Sequence, residues 1–120
     1  MADKCEAVDT EGLPVDVELI KDSVDVALSL SIGTSTRQDI AGRTNAVVGH
    51  LALLVTEDLG TDSDGEVLAL VRKAYKLLDL DNRPRSTTPT FEFYEYMRRV
   101  AVVTRALVTE YEKKSGVRTL

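Results

Sequence analysis

The sequence predicts an all-α protein, an up-and-down four-helix bundle with a disordered acidic N-terminal tail. Three observations predict it. Apolar residues recur at steps of three and four in four separate segments, the pattern of helices that bury one face. Nowhere do apolar and polar residues alternate cleanly over six positions, so no strand competes. Glycine, proline and capping residues punctuate the ends of the segments and leave short connections, which favours antiparallel neighbours.

Residues 1–13 are polar and acidic and read as the tail; residues 14–120 read as one domain. The expected helices cover 15–31, 36–59, 64–79 and 89–115. The first starts at Pro14, and Val17, Ile20, Val24, Ala27, Leu28 and Ile32 form its inner face, with Gly33 as a left-handed cap. The second opens with Thr36 and Asp39 at capping-box spacing. Ile40, Thr44, Val47, Leu51 and Leu54 continue its stripe, which Val48 and Val55 widen, and Gly60 closes it after roughly 35 Å. Gly42 and Gly49 lie inside it on one face and cost about 1 kcal/mol each relative to Ala. A close helix crossing accounts for them, with a bound group against the backbone as the alternative.

Ser63 and Glu66 cap the third helix, whose inner face is Val67, Leu70, Val71, Ala74, Leu77 and Leu78. Arg72, Lys73 and Lys76 fall outside, as solvated cations toward its C-terminal end. The loop 79–90 contains Pro84 and Pro89, which forbid a continuous helix. The fourth helix starts with Thr88 or Thr90 as cap. It runs through Phe93, Met97, Val100, Thr104, Leu107 and Tyr111, and ends at Lys113, Lys114 and Gly116.

Composition removes several function classes. The chain has 120 residues with one Cys, one His and a net charge of −5. A zinc site takes about four Cys or His ligands, so no metal and no cofactor is expected. Cys5 has no disulfide partner. Acidic charge gives nucleic-acid binding no support. The N-terminus lacks the apolar core of a signal peptide, and no apolar run approaches the roughly 20 residues of a membrane span, so a cytoplasmic protein without membrane association is expected. Residues 1–60 carry a net charge of −7 and residues 61–120 a net of +2. Such a gradient keeps the chain soluble or orients a partner.

No catalytic constellation assembles from these residues. Cys5 lies in the tail and His50 is the single imidazole, so no nucleophile–base pair is positioned. Phosphate loops and paired Glu-x-x-His ligands are absent. The Asp62–Glu66 run lacks calcium-loop spacing and reads as helix capping. Two flanks remain. Tyr94, Arg98 and Arg105, with Met97 beside them, line the fourth helix with side-chain types that interfaces favour, the simpler reading being solvated arginines or pairing with Glu95, Glu110 and the acids of the first helix. Arg43, His50 and Glu57, seven apart, line the second helix as the competing ligand or partner site. For His50 the simpler reading is a boundary histidine bonded to a neighbouring helix.

The segments Asp16–Leu28, Gly49-His50-Leu51-Ala52-Leu53-Leu54 and Arg98–Leu107 followed by Glu110-Tyr111-Glu112 resemble a family of small actinobacterial proteins of unknown function in natural product biosynthesis. The resemblance covers about residues 14–116. It implies a secondary-metabolism context and supplies no catalytic residue. The expectation is a non-catalytic accessory protein that binds and stabilises a biosynthetic enzyme; a cyclase closing a strained ring such as an aziridine is one compatible client. The alternatives are a small-molecule binder or minor enzyme using His50, Tyr75, Tyr94 and Arg98 between the helices, and a protein-binding regulator. A homodimer is the other expected assembly, since Val48, Val55 and Val108 widen their stripes.

Overall fold

A computed structural model describes residues 15–57, 59 and 65–115. The tail 1–13, Pro14, Asp58, Gly60, Ser63 and Gly116 lie outside the described residues, as does Cys5. The described residues form four α-helices: α1 Val17–Ser29, α2 Arg37–Leu54, α3 Gly65–Leu78 and α4 Thr90–Ser115. A 3-10 turn, Leu80–Asn82, follows α3.

Local chemistry explains the boundaries. Asp16 caps α1 by accepting the Leu19 N–H at 3.1 Å. Both halves of the Thr36–Asp39 capping box form on α2, each at 3.0 Å. The Thr36 backbone N–H donating to the carboxylate, and then the Thr36 hydroxyl beside it, hold Asp39 below its ordinary value. The expected end of α1 at Gly33 is not found: the helix stops at Ser29, Leu30 turns extended, and Ile32 is exposed. Nor does α2 reach residue 59. The N–H groups of Thr56 and Glu57 bond carbonyls three residues back, and the Thr56 hydroxyl takes the Leu53 carbonyl at 2.6 Å. The last turn tightens and the chain leaves the helix, yet Leu59 still returns to the core. At the start of α4 it is the Pro89 carbonyl that accepts the Phe93 N–H. Thr88 instead closes the loop by accepting the Arg85 N–H at 2.8 Å.

The faces of the helices follow the apolar stripes. Ile20, Val24, Ile40, Leu51, Leu54, Met97, Val100 and Leu107 are among the fully buried side chains of a single core. Thr44 and Thr104 are buried too, and each hydroxyl donates to the carbonyl four residues earlier, at 2.7 Å. Thus neither leaves an unpaired polar group in the core. Helix α4 packs against all three others, while α1 and α3 do not touch. Lys21 Nζ meets the buried Glu112 at 2.9 Å, joining the start of α1 to the end of α4. The Tyr96 hydroxyl donates to the Leu77 carbonyl at 2.6 Å, joining the end of α3 to the first half of α4. These ties set α1 and α3 antiparallel to α4, the up-and-down arrangement.

Two packing expectations are corrected. Gly42 and Gly49 are exposed, and a Cβ on either would meet nothing within 4 Å, so no close crossing explains them. Val108 is buried, and Val48 and Val55 are half-buried against the core, so these three do not form a spare dimerisation face.

Candidate functional site

Two arginines that sequence reasoning did not single out build one end of the molecule. Arg37, in the first turn of α2, donates to the carbonyls of Thr88 at 2.6 Å and Arg85 at 3.0 Å. Its guanidinium also lies 5.0 Å from the centre of the Phe93 ring. Arg83 turns back to donate to the Leu78 carbonyl at the end of α3, at 3.0 Å. A planar fork with several donors suits this gathering of loop carbonyls, which a lysine could not duplicate. The loop after α3 is thereby fixed as a wall rather than left loose.

That wall borders an open cavity of about 800 Å³ lined by Arg83, Arg85, Phe91, Glu95, Tyr96 and Arg99 among others. Burial pushes the Tyr96 hydroxyl up, against the opposing pull of the Arg83 charge. Beside it, sharing Glu95 and Arg99, a groove of about 470 Å³ runs between α3 and α4. Leu77, Val102 and Val103 form its floor, and Lys73, Lys76, Arg98 and Arg99 its rim, against the one carboxylate of Glu95. Val102 is 47% exposed, and Tyr75, on the outer side of α3, is more so. Among the described residues, none of the four rim cations has a carboxylate within ion-pair distance. The groove thus combines an apolar floor with a cationic rim that no carboxylate of the described residues neutralises.

The nominated flank on α4 is divided by the structure. Tyr94 donates to the Leu30 carbonyl at 2.9 Å and Arg98 to the Leu28 carbonyl at 3.3 Å, so both satisfy the end of α1. The Arg98 guanidinium also lies 5.8 Å from the Tyr94 ring centre. Met97 is fully buried in the core and faces no partner. Arg105 is exposed and lines a small cavity with Lys21, Asp25 and Glu112, on the α1 side of α4. Arg98 alone of the four also reaches the α3–α4 groove.

The flank on α2 is likewise separated. His50 Nε2 lies 3.0 Å from the Ser23 hydroxyl, the helix-to-helix bond of a boundary histidine. Burial holds its imidazole below the ordinary value, with the Asp16 charge opposing. Arg43 lines a different cavity, of about 270 Å³, beside Val26 and Leu30. Glu57 lies beyond the end of α2, near Tyr111, whose hydroxyl is pushed up by burial and then by the Glu57 charge. His50, Tyr75, Tyr94 and Arg98 therefore do not converge on one pocket. The signal available for the groove was the coincidence of Lys73 and Lys76 on one helix with Arg98, Arg99 and an outward Val102 on another. Reading each helix alone made the lysines a solvated face.

Among the described residues no three His, Cys, Asp or Glu side chains gather closely enough to hold a metal ion. No described helix is long and apolar enough to cross a membrane. No protein-family model, curated protein or solved structure matches the chain.

Proposed function

We propose that this chain is a non-catalytic accessory protein that binds a partner protein through the groove between α3 and α4. The observation that carries the reading is the cationic rim over an apolar floor, with no carboxylate of the described residues paired to the rim. Such a surface gains by covering its floor and neutralising its rim together, which water alone does not offer. No nucleophile–base pair lines the groove, so binding rather than turnover suits it. The client proposed is a biosynthetic enzyme, a reading supported by the resemblance of the Gly49–Leu54 and Arg98–Glu112 segments to a natural-product family, with a ring-forming cyclase such as an aziridine-forming enzyme as one candidate class.

The experiment compares tagged wild type with Lys73→Glu/Lys76→Glu in the native host, with mass spectrometry of what is captured. The expected outcome is one biosynthetic enzyme held by the wild type and lost from the variant, with the helical circular dichroism unchanged. Equal capture by both would place the interface elsewhere. Turnover of a substrate by the purified chain would end the non-catalytic reading.

A further inference from the structure

The outward face of α1 has the character the groove demands. Glu18, Asp22 and Asp25 are exposed along it, and beside them stand two large apolar side chains, Leu19 at 53% and Val26 at 43% exposure. At 100° per residue, Leu19 and Val26 lie one above the other, about 10 Å apart along the axis, with Asp22 adjoining them. The inner face, Val17, Ile20, Val24 and Ala27, points the opposite way into the core. Thus α1 presents a narrow apolar track flanked by an acidic one. Lys21 does not cancel it, because it is paired with Glu112, and Arg105, which shares a cavity with Asp25, makes no ion pair with it. Nothing within one molecule brings the two surfaces together: α1 and α3 lie on either side of α4 and do not touch.

We propose that the occupant of the α3–α4 groove in the free protein is α1 of a second copy of this chain. The apolar pair Leu19 and Val26 covers the floor formed by Leu77, Val102 and Val103, while Glu18, Asp22 and Asp25 meet Lys73, Lys76 and Arg99. The mode is a helix laid into a groove. The contact joins two different surfaces, so it is head-to-tail; two such contacts close a two-fold dimer, and one repeated contact makes a string. This inference rests on the groove being a docking surface. It adds regulation to it, since a client has to displace the second copy's α1.

The test is sedimentation of the full chain over a concentration series up to about 1 mM, the weak end of specific affinities. The wild type is expected to rise above the 13.2 kDa chain mass toward twice that value or more. Raising salt from about 0.1 M to about 1 M shrinks the Debye length from about 10 Å to about 3 Å and is expected to dissociate it. Two charge reversals are decisive. Asp22→Lys/Asp25→Lys makes both surfaces basic, and Lys73→Glu/Lys76→Glu makes both acidic, so each variant alone stays at chain mass. Mixing the two variants in equal amounts restores both contacts and the assembly returns. None of these four side chains makes a hydrogen bond or ion pair among the described residues, and because Asp25 lines a cavity with Lys21 and Arg105, the circular dichroism and melting of each variant are read alongside its mass.

A wild type that stays at chain mass throughout, an assembly insensitive to both reversals, or a mixture that fails to reassemble overturns the proposal. Client capture is read separately: Asp22→Lys/Asp25→Lys leaves the groove intact, so it still captures a client even if self-association is disproved. An acidic helix of another protein as the true occupant would appear as that capture together with a monomeric wild type.

Discussion

Alanine at Gly42 and Gly49 tests the description of α2 most directly. Both residues lie in the interior of an 18-residue helix and both are exposed. A Cβ built on either meets no heavy atom within 4 Å, so substitution carries no packing cost. What remains is the intrinsic helix preference, about 1 kcal/mol in favour of Ala at each site, part of it from a less flexible unfolded chain. The two positions are separated by about 10 Å along the axis, at the edge of the range where substitutions couple, so the effects are expected to add to about 2 kcal/mol. For a chain of this length that corresponds to a rise in Tm of about 8 °C for the double variant, half of it from each single change. The assay is reversible thermal unfolding followed by circular dichroism, with urea unfolding as a second measure of the same difference. A neutral or destabilising Ala at either site would refute the reasoning, because it would mean that something covers this face of α2.

Arg37→Ala is expected to cost about 2 kcal/mol in urea unfolding, since the loop carbonyls of Arg85 and Thr88 lose a charged donor. Arg37→Lys should recover less than half of that; a loss below about 0.5 kcal/mol for Ala would remove the organising role given to Arg37. Leu51→Ala and Leu107→Ala, both at fully buried positions, should each cost about 2–5 kcal/mol in the same measurement. For His50, burial lowers the folded-state value below 6.5, so the unfolded chain binds the extra proton first. Its contribution is therefore intact above the unfolded value and is lost as pH falls through 6.5 toward the lower folded value, and His50→Gln should flatten that slope. An NMR titration of the His50 ring with a midpoint above 6.5 would reverse the sign and contradict its burial against Ser23.

The inner faces of the helices were legible because one physical cause writes them. A residue facing the core must be apolar at every turn, so Ile40, Val47, Leu51 and Leu54 on α2, and Met97, Val100, Leu107 and Tyr111 on α4, carry the period in the sequence itself. Capping at Thr36 and Asp39 was legible for a similar reason, since donor and acceptor lie three residues apart. Helix ends set by competition were not. Val55 continues the apolar pattern of α2, but the carbonyls of Leu53 and Leu54 are taken by tighter turns. The long-range roles were the least legible. Arg37 bonds a loop some fifty residues away, and Tyr94 and Arg98 satisfy carbonyls of α1; no local pattern announces either.

The same division separates the surfaces. Because α4 packs against three helices, most of its circumference is committed to the fold. One ridge, carrying Arg98, Arg99, Val102 and Arg105, is left between α1 on one side and α3 on the other. Solvation of that ridge calls for polar residues, which the arginines supply. It gives no reason for Val102, whose exposed area gains nothing from folding. A lone outward valine would be unremarked on any helix. Here it continues inward to Val103 and across to Leu77, making one apolar floor between two helices, and the lysines of α3 complete the rim. The arginines nearer α1 are accounted for differently: Arg98 holds the Leu28 carbonyl, and Arg105 sits beside Asp25 and Glu112. The docking role proposed for this protein therefore falls on the α3 side of the ridge, where Lys73, Lys76 and Arg99 carry charge that no ion pair of the described residues takes up and Val102 adds exposed apolar area.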